Sequence, residues 1–193
     1  LPPSRLKKIH RWICYKIYLA QEARIVPKAK LLFTLCHKNK NDLIKYLNID
    51  AERIHVVYPA IDPGLFLPIS PDASQRIRRK HGLPLSRPQV VFIGALSDRR
   101  KGFDTLFSAW TALCRSNEWD ADLLIFARGS EVPHWIKMAQ EEGIAGKMKF
   151  LGFSKDMPEI LASSDLLVLP SRYEGYSMVT QEALCCAVPV IVT

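Results

Sequence analysis

Short runs rich in Val, Ile and Leu alternate with amphipathic segments from residue 89 to the end of the chain, and this alternation constrains the fold more than any other feature. Strands are predicted at 89–94, 122–127, 147–151, 166–169 and 188–192, and helices at 103–115, 132–142, 156–163 and 177–186. Continuous apolar strands separated by helical crossovers are typical of parallel sheets covered on both faces. The sequence therefore predicts an α/β fold, with a Rossmann-like parallel sheet and helices on both faces.

A proline-rich stretch separates this region from an earlier one. Four prolines between residues 59 and 71 fix their own backbone and bias the preceding residues away from helix. Before them a strand at 30–35, a helix at 38–46 and a strand at 54–58 are predicted, and a helix at 72–81 follows them. We therefore predict the end of an amino-terminal domain at 1–60, a linker with a lead-in helix at 61–88, and the Rossmann-like domain at 89–193. The chain starts at Leu1 and stops within a predicted strand, so we expect a fragment that is truncated at its carboxyl end.

Positive charge is concentrated near the start of the chain. The net charge is +8, and residues 1–40 hold ten Lys or Arg and one acid, whereas the remainder is nearly neutral. The pattern over 4–25 predicts a helix with an apolar stripe among basic residues. Such a helix can make peripheral contact with anionic lipid, or it can pack its stripe on a part of the protein outside this chain, and we favour the second alternative. No second motif indicates nucleic acid as a partner.

Membrane-spanning and disulfide-rich classes do not fit the sequence. No apolar run approaches the roughly 18 residues of a membrane span, and the first residues lack the apolar stretch of a signal peptide. The five cysteines have no C-x-x-C spacing, so we predict reduced, mostly buried thiols rather than disulfides or a zinc site. We expect a soluble protein of the cytoplasm, with the cytoplasmic face of the membrane as the alternative location.

A first candidate binding segment, residues 92–104, follows a predicted strand and precedes a predicted helix. Ligands bind at this edge of parallel sheets. Gly94 permits close approach of the backbone to a ligand, and Arg99, Arg100 and Lys101 place positive charge beside it. Arg100 and Lys101 can neutralise a diphosphate through charge-assisted hydrogen bonds, although three bases in a turn also suit a solvated surface.

A second candidate segment, residues 170–184, has the same position relative to its strand and helix. Glu174 lies in the loop, and Glu182 is predicted two helical turns inside the helix. The helix start, whose N–H groups attract anionic oxygens, lies between the two carboxylates. Carboxylates accept hydrogen bonds from sugar hydroxyls, so this pair can hold two sugars that flank a diphosphate. Two glutamates at this spacing usually belong to a solvated helix, but the matching position of 92–104 favours a shared crevice.

Other polar residues do not form a second site. The run Asp120-Ala121-Asp122 matches the D-x-D pattern of metal-dependent sugar transferases, but it lies at the start of a predicted strand, on the far side of the sheet from the crevice. The five histidines lack the spacing of a metal or nucleophilic site. We therefore expect no metal and no other cofactor.

These segments resemble those of family 4 glycosyltransferases with the GT-B fold, which are retaining enzymes that use nucleotide sugars. The resemblance covers residues 30–193 and is carried by segments 56–62, 94–104, 149–152, 164–165, 170–174 and 181–183, with Phe66. It implies transfer of a sugar from a nucleotide-diphosphate donor to an acceptor, a glycan or a lipid-linked glycan, with retention of the anomeric configuration. It also implies that the sheet is the carboxy-terminal domain of a GT-B fold and that residues 1–60 are a partial amino-terminal domain.

The resemblance further implies roles for individual residues. As the catalytic set, Glu174 contacts the transferred sugar, while Arg100 and Lys101 hold the diphosphate. The other donor-binding residues are Gly94, where the backbone can approach the ligand, and those whose positions the resemblance implies: Gly152 and Phe153 beside the base, Glu182 on the ribose, and Gly175, Tyr176, Ser177 and Met178 near sugar or phosphate. Many members carry Arg where this chain has Ala95, so either Arg99 or Arg100 supplies that charge.

Two other functions remain open on the sequence alone. One is a non-catalytic nucleotide-sugar-binding module or an inactive fragment, and the other is a GT-B epimerase or phosphorylase, which shares the fold. The motifs favour transfer. UDP, GDP and ADP sugars are all compatible with the sequence.

Overall fold

The computed structural model describes residues 5–97, 99–116 and 119–193. The chain divides between Pro59 and Ala60 into two compact units, which we call unit 1 and unit 2. Within the described residues, no helix combines the length and the apolar character that crossing a membrane requires.

Unit 1 contains two parallel strands joined by a helix. Its elements are α1 (Arg5–Ile25), β1 (Leu32–Thr34), α2 (His37–Leu47) and β2 (Ile54–Val56). β1 and β2 pair in parallel, and α2 forms the crossover between them. The Cys36 side chain accepts a hydrogen bond from the Asn39 N–H at the start of α2, and Asn48 adopts a left-handed conformation that ends the helix. The strand–helix–strand order predicted before the proline-rich stretch is present.

The α1 helix exposes much of its apolar surface. Its side chains that are more than half exposed include Leu6, Ile9, Trp12, Tyr15, Ile17, Tyr18 and Ile25. Arg11, Lys16 and Arg24 are exposed on the same helix. The helix therefore presents apolar and basic side chains together, as the sequence predicts.

Unit 2 is built on a parallel sheet whose strand order reverses. Its elements are α3 (Pro71–Lys80), β3 (Gln89–Ala95), α4 (Phe103–Cys114), β4 (Asp122–Arg128), α5 (Val132–Glu141), β5 (Met148–Phe150), α6 (Met157–Ala162), β6 (Leu166–Leu169), α7 (Met178–Cys185) and β7 (Val190–Val192). The strand order is β5-β4-β3-β6-β7, with parallel pairing throughout. The chain extends the sheet from β3 to β5 on one side and then returns to the other side of β3 with β6. At such a reversal a crevice opens between the carboxyl ends of the two strands, where α/β sheets bind ligands.

Neighbouring side chains of β3 pack into two separate cores. Phe92 lies in one core with Phe107 of α4. Val91 lies in the other core with Leu161 of α6 and Ala183 of α7. Because successive strand residues point to opposite faces, the two cores cover opposite faces of the sheet. The predicted α/β fold, a Rossmann-like parallel sheet with helices on both faces, is confirmed.

The connection between α7 and β7 differs from the prediction. Ala187 has a left-handed backbone with φ of 57°, and the Val188 N–H donates to the Ala183 carbonyl at 2.9 Å. These contacts close the end of α7, so Val188 belongs to the helix cap. β7 consequently begins at Val190, two residues later than predicted.

The cysteines are free, but most of them are not buried. Cys186 is buried, whereas Cys14, Cys36, Cys114 and Cys185 are partly exposed. The prediction of mostly buried thiols is therefore wrong. Three of the four lie on helices that have an exposed side, which the sequence spacing of cysteines does not reveal.

Candidate functional site

Two loops meet at the crevice between β3 and β6. The first, residues 99–102, contains a short 3-10 turn and is called the cationic loop; the second, residues 170–177, is called the glutamate loop. The Arg172 N–H donates to the Arg100 carbonyl at 2.8 Å. Gly102 has φ of 67°, and a Cβ built on it would lie 1.7 Å from the Pro170 carbonyl oxygen. Glycine at this position therefore lets the two loops touch.

Arg172 ties the glutamate loop to the start of α4. Its guanidinium donates to both carboxylate oxygens of Asp104, at 2.7 and 3.0 Å, and to the Arg99 carbonyl at 2.6 Å. The hydrogen bond from Arg172 is the main reason that the pKa of Asp104 lies below its usual value. Neither residue was predicted to have a role. Arg172 and Asp104 carry opposite charges and follow the strands β6 and β3. Their pairing could have been predicted only if these two strands were known to be neighbours, and the sequence does not give the strand order.

Glu174 accepts hydrogen bonds from three side chains. Lys101 Nζ lies 2.5 Å and Ser171 Oγ 2.8 Å from one carboxylate oxygen, and Arg100 Nη1 lies 3.2 Å from the other. Burial on its own would raise the pKa of Glu174, but the hydrogen bonds from Lys101 and Ser171 and the two positive charges outweigh it and lower that pKa. Three residues predicted as the catalytic set thus lie in direct contact.

Gly94 lies under the aliphatic part of Lys101. A Cβ built on Gly94 would lie 3.3 Å from both Lys101 Cγ and Phe92 Cζ, which is tighter than ordinary contact. Glycine therefore leaves room for the lysine stem to cross the end of β3. Close approach of a ligand was predicted at Gly94, and in the structure the Lys101 side chain also approaches it.

The start of α7 follows the glutamate loop directly. Ser177 is the N-cap, because its hydroxyl oxygen accepts from the Thr180 N–H at 3.4 Å and from the Thr180 hydroxyl at 2.8 Å. Met178 is the first helical residue, and Gly175 and Tyr176 are half-buried before it. The first-turn N–H groups of a helix have no acceptor within the helix and a partial positive charge, so this end can bind an anion.

Glu182 lies nearer to the helix start than predicted. It is the fifth residue of α7, just over one turn inside the helix, so the predicted two turns are wrong. Burial raises the pKa of the Glu182 carboxyl. A half-buried carboxylate gains from a hydrogen-bond donor, such as a hydroxyl group of a ligand.

An apolar cleft of about 240 Å³ opens beside Gly94. It is lined by the ends of β3 and β4, by residues 152–154 and by Met157. The guanidinium carbon of Arg128 lies 3.9 Å from the centre of the Phe153 ring, which fixes the two side chains in a stack. Gly152 precedes Phe153 with φ of 72°, so the turn after β5 uses a conformation that suits glycine.

Gly94 therefore joins two surfaces of different chemistry. It lines the apolar cleft on one side and contacts Lys101 of the charged cluster on the other. The cleft can receive a flat apolar ring, and the cations beside it can receive negative oxygens. Both surfaces lie at the carboxyl ends of the strands.

The D-x-D run lies at the opposite edge of the sheet. Asp122 is buried at the first position of β4, with Arg87 Nη1 3.1 Å from its carboxylate, and Arg87 Nε lies 2.8 Å from Asp120. Across the described ranges, no three His, Cys, Asp or Glu side chains form a group that could hold a metal ion. Independence of metal stays a prediction.

Comparison with known proteins identifies relatives of the chain. Residues 87–193 match the family model described as "Glycosyl transferases group 1". The chain is 30% identical over 178 residues to D-inositol 3-phosphate glycosyltransferase of Corynebacterium glutamicum (strain R), covering 88% of this chain and 42% of that protein. It is also 30% identical over 183 residues to the Salinispora arenicola protein of the same name, covering 88% and 41%. The chain thus spans less than half the length of these curated relatives.

Solved structures with the same fold include glycosyltransferases. Sucrose-phosphate synthase from Thermosynechococcus elongatus superimposes with a TM-score of 0.77 at 25% identity, over 92% of this chain and 44% of that chain. HepE from Anabaena, crystallised with UDP and glucose, superimposes with a TM-score of 0.75 at 23% identity, over 92% and 47%. The fold is that of GT-B glycosyltransferases, as predicted. Because the family model matches more than half of the chain, the chain belongs to the group 1 glycosyltransferases.

Proposed function

We propose that the protein to which this chain belongs is a retaining glycosyltransferase of family 4 and that unit 2 binds its nucleotide-diphosphate sugar donor. One observation carries the proposal: Glu174 meets Lys101 and Arg100 where the strand order reverses, and an apolar cleft adjoins them across Gly94. The names of the relatives, which are glycosyltransferases, and the UDP and glucose held by HepE support this choice.

The apolar cleft is the proposed site of the nucleobase. Its walls are mostly apolar, as a planar base requires, and its volume of about 240 Å³ is sufficient for one ring system. Gly152 and Phe153 border it, as the resemblance to family 4 implies. The base remains open among uracil, guanine and adenine.

Arg100, Lys101 and the start of α7 are the proposed diphosphate site. Many family members have an arginine where this chain has Ala95, and we favour Arg100 over Arg99 as the residue that supplies this charge. Arg100 lies 3.2 Å from Glu174, whereas the Arg99 side chain is 85% exposed and lies 3.9 Å from Asp104. Glycosyl transfer builds positive charge on the sugar and negative charge on the departing diphosphate. Fixed cations and helix N–H groups at that position stabilise the departing group without metal.

The two glutamates are the proposed ligands of the donor's sugars. Glu174 would accept hydrogen bonds from the transferred sugar, and Glu182 from the ribose. The raised pKa of Glu182 is consistent with a site that needs donors, and the lowered pKa of Glu174 keeps that carboxylate charged at neutral pH. Retention is proposed to follow from attack by the acceptor on the face from which the diphosphate leaves.

The acceptor is proposed to be a glycan or a lipid-linked glycan. The curated relatives are named D-inositol 3-phosphate glycosyltransferases, and one solved structure is of a glycosyltransferase involved in lipopolysaccharide biosynthesis. Peripheral contact with the cytoplasmic face of a membrane through the exposed apolar and basic side chains of α1 is the second candidate, after packing of that surface on a part of the protein outside this chain. Nucleic acid is not proposed as a partner, because no second sequence motif accompanies the basic residues at the start of the chain.

Calorimetric titration of the 193-residue chain with UDP, GDP and ADP, with and without magnesium, tests the donor site. We expect one nucleotide to bind without magnesium, and Glu182→Ala to weaken it by roughly 10- to 100-fold, as loss of hydrogen bonds to a charged group predicts. Glu141→Ala is the control, because Glu141 is an exposed acid on α5. A folded chain that binds none of the three nucleotides would contradict the proposal.

Transfer itself is tested on the whole protein. The anomeric configuration of its product, followed by NMR, tests retention. Nucleotide binding by the whole protein without any release of nucleoside diphosphate would instead favour a non-catalytic binding module.

A further inference from the structure

Groups that the proposed function assigns to different parts of the donor contact each other directly. Lys101 Nζ lies 2.5 Å from one Glu174 oxygen, and Arg100 Nη1 lies 3.2 Å from the other. The Lys101 and Glu174 side chains are only 16% and 18% exposed, so water and salt screen this pair weakly. A diphosphate that binds Lys101 and Arg100 therefore competes with the Glu174 carboxylate for both cations.

The carboxylate is held in place by contacts other than the cations. The Ser171 hydroxyl, on a buried residue, donates to Glu174 at 2.8 Å, and the Thr193 hydroxyl donates to the Ser171 carbonyl at 2.9 Å. Arg172 holds the same loop to the Arg100 carbonyl at 2.8 Å. When a negative ligand takes its cations, Glu174 cannot turn freely towards solvent.

We infer that Glu174 distinguishes the sugar-nucleotide donor from the nucleoside diphosphate product, a role that rests on the proposed function. Hydroxyls of the transferred sugar donate hydrogen bonds to the carboxylate and replace those that Lys101 and Arg100 give up. The product has no such sugar, and it brings negative charge to a fixed negative group in a weakly screened site. Glu174 therefore weakens binding of the product and speeds its release. Binding of the donor is not weakened in this way, because the sugar hydroxyls replace the hydrogen bonds that the carboxylate loses.

Titration of the 193-residue chain and its Glu174→Gln variant tests this role. The probes are UDP, GDP and ADP, the matching monophosphates, and UDP-glucose, GDP-mannose and ADP-glucose. For the nucleotide that the wild type binds, we expect Glu174→Gln to bind the diphosphate roughly tenfold more tightly. The monophosphate should bind unchanged, and the sugar nucleotide should bind equally or more weakly. Glu141→Gln, which removes one exposed acid from α5, controls for net charge.

Unchanged or weaker binding of the diphosphate to a folded Glu174→Gln variant overturns the inference. If that variant does not fold, Ser171→Ala replaces it: the freed carboxylate can then move away, and we expect about threefold tighter binding of the diphosphate. Unchanged affinity in that variant also overturns the inference. If the wild type binds none of the nucleotides, the proposed function fails first, so the two failures are distinguishable.

Discussion

Replacing Gly102 with alanine tests the contact that brings the two loops of the site together. The new Cβ would lie 1.7 Å from the Pro170 carbonyl oxygen, far short of the 3.4 Å at which ordinary contact begins. Alanine in a left-handed conformation costs about 1–2 kcal/mol, and forcing an added carbon into a packed site costs about 1–3 kcal/mol more. We therefore expect Gly102→Ala to lower the free energy of unfolding by about 2–5 kcal/mol.

The assay is urea unfolding, with thermal unfolding as a second measure. A chain of this size loses roughly 2–4 °C in Tm for each kcal/mol. Gly143→Ala is the matched control, since Gly143 has φ of 70° but no neighbouring atom lies within 4 Å of its added Cβ. For Gly143→Ala, the free energy of unfolding should fall only by the cost of the left-handed backbone, about 1–2 kcal/mol. Equal losses in the two variants would refute the reasoning from the Pro170 contact.

Three further substitutions separate the parts of the site. Arg172→Gln should destabilise the chain more at pH 7 than in acid, because Arg172 lowers the pKa of Asp104 and the stability from this pair, present above the ordinary value of 3.8, is lost as the pH falls through the lowered pKa. The loss that comes from the hydrogen bond to the Arg99 carbonyl should persist in acid, and thermal unfolding from pH 7 downwards checks that the total loss shrinks. Arg128→Met removes the cation that stacks on the Phe153 ring, so titration should show nucleotide binding weakened by about two- to fivefold. Unchanged affinity would contradict the assignment of the base to this cleft. Glu182→Gln should raise the Tm at pH 7, because burial raises the pKa of Glu182 and the charged carboxylate therefore destabilises the folded chain above that raised pKa. The same variant should weaken nucleotide binding, because Glu182 is the proposed ligand of the ribose. The gain in Tm should vanish below the ordinary value of 4.5, and a gain that persists there would have another cause.

Much of the fold could be predicted from the chain because its strands are buried on both faces. Runs such as 122–127 carry almost no polar residues, and helical segments of regular periodicity separate them. The errors in the predicted helices and strands lie at their ends, because a few backbone contacts determine where an element begins and ends. The left-handed Ala187 and the cap contact of Val188 moved the start of β7 to Val190. Pro189, inside the predicted strand, was the available signal, since proline is common just after the end of a helix.

The candidate site was predictable in its charged residues and not in their pairing. Glu174, Arg100 and Lys101 stand at strand ends in the sequence, so their role as a group could be inferred. Arg172 and Asp104 are 68 residues apart, and their hydrogen bonds depend on β3 and β6 being neighbours in the sheet. Strand order is a property of the packed sheet, and periodicity along the chain does not encode it.

The pairing between β3 and β6, where the strand order reverses, is the shortest in the sheet. β3 pairs with β4 along its whole length from Gln89 to Ala95, but with β6 at Val90 and Val91. Beside this pairing, the contacts between the cationic and glutamate loops connect the β3-β4-β5 half of the sheet to the β6-β7 half. A ligand that contacts both loops therefore stabilises the pairing of β3 with β6, and its binding should slow the hydrogen exchange of the β6 amides.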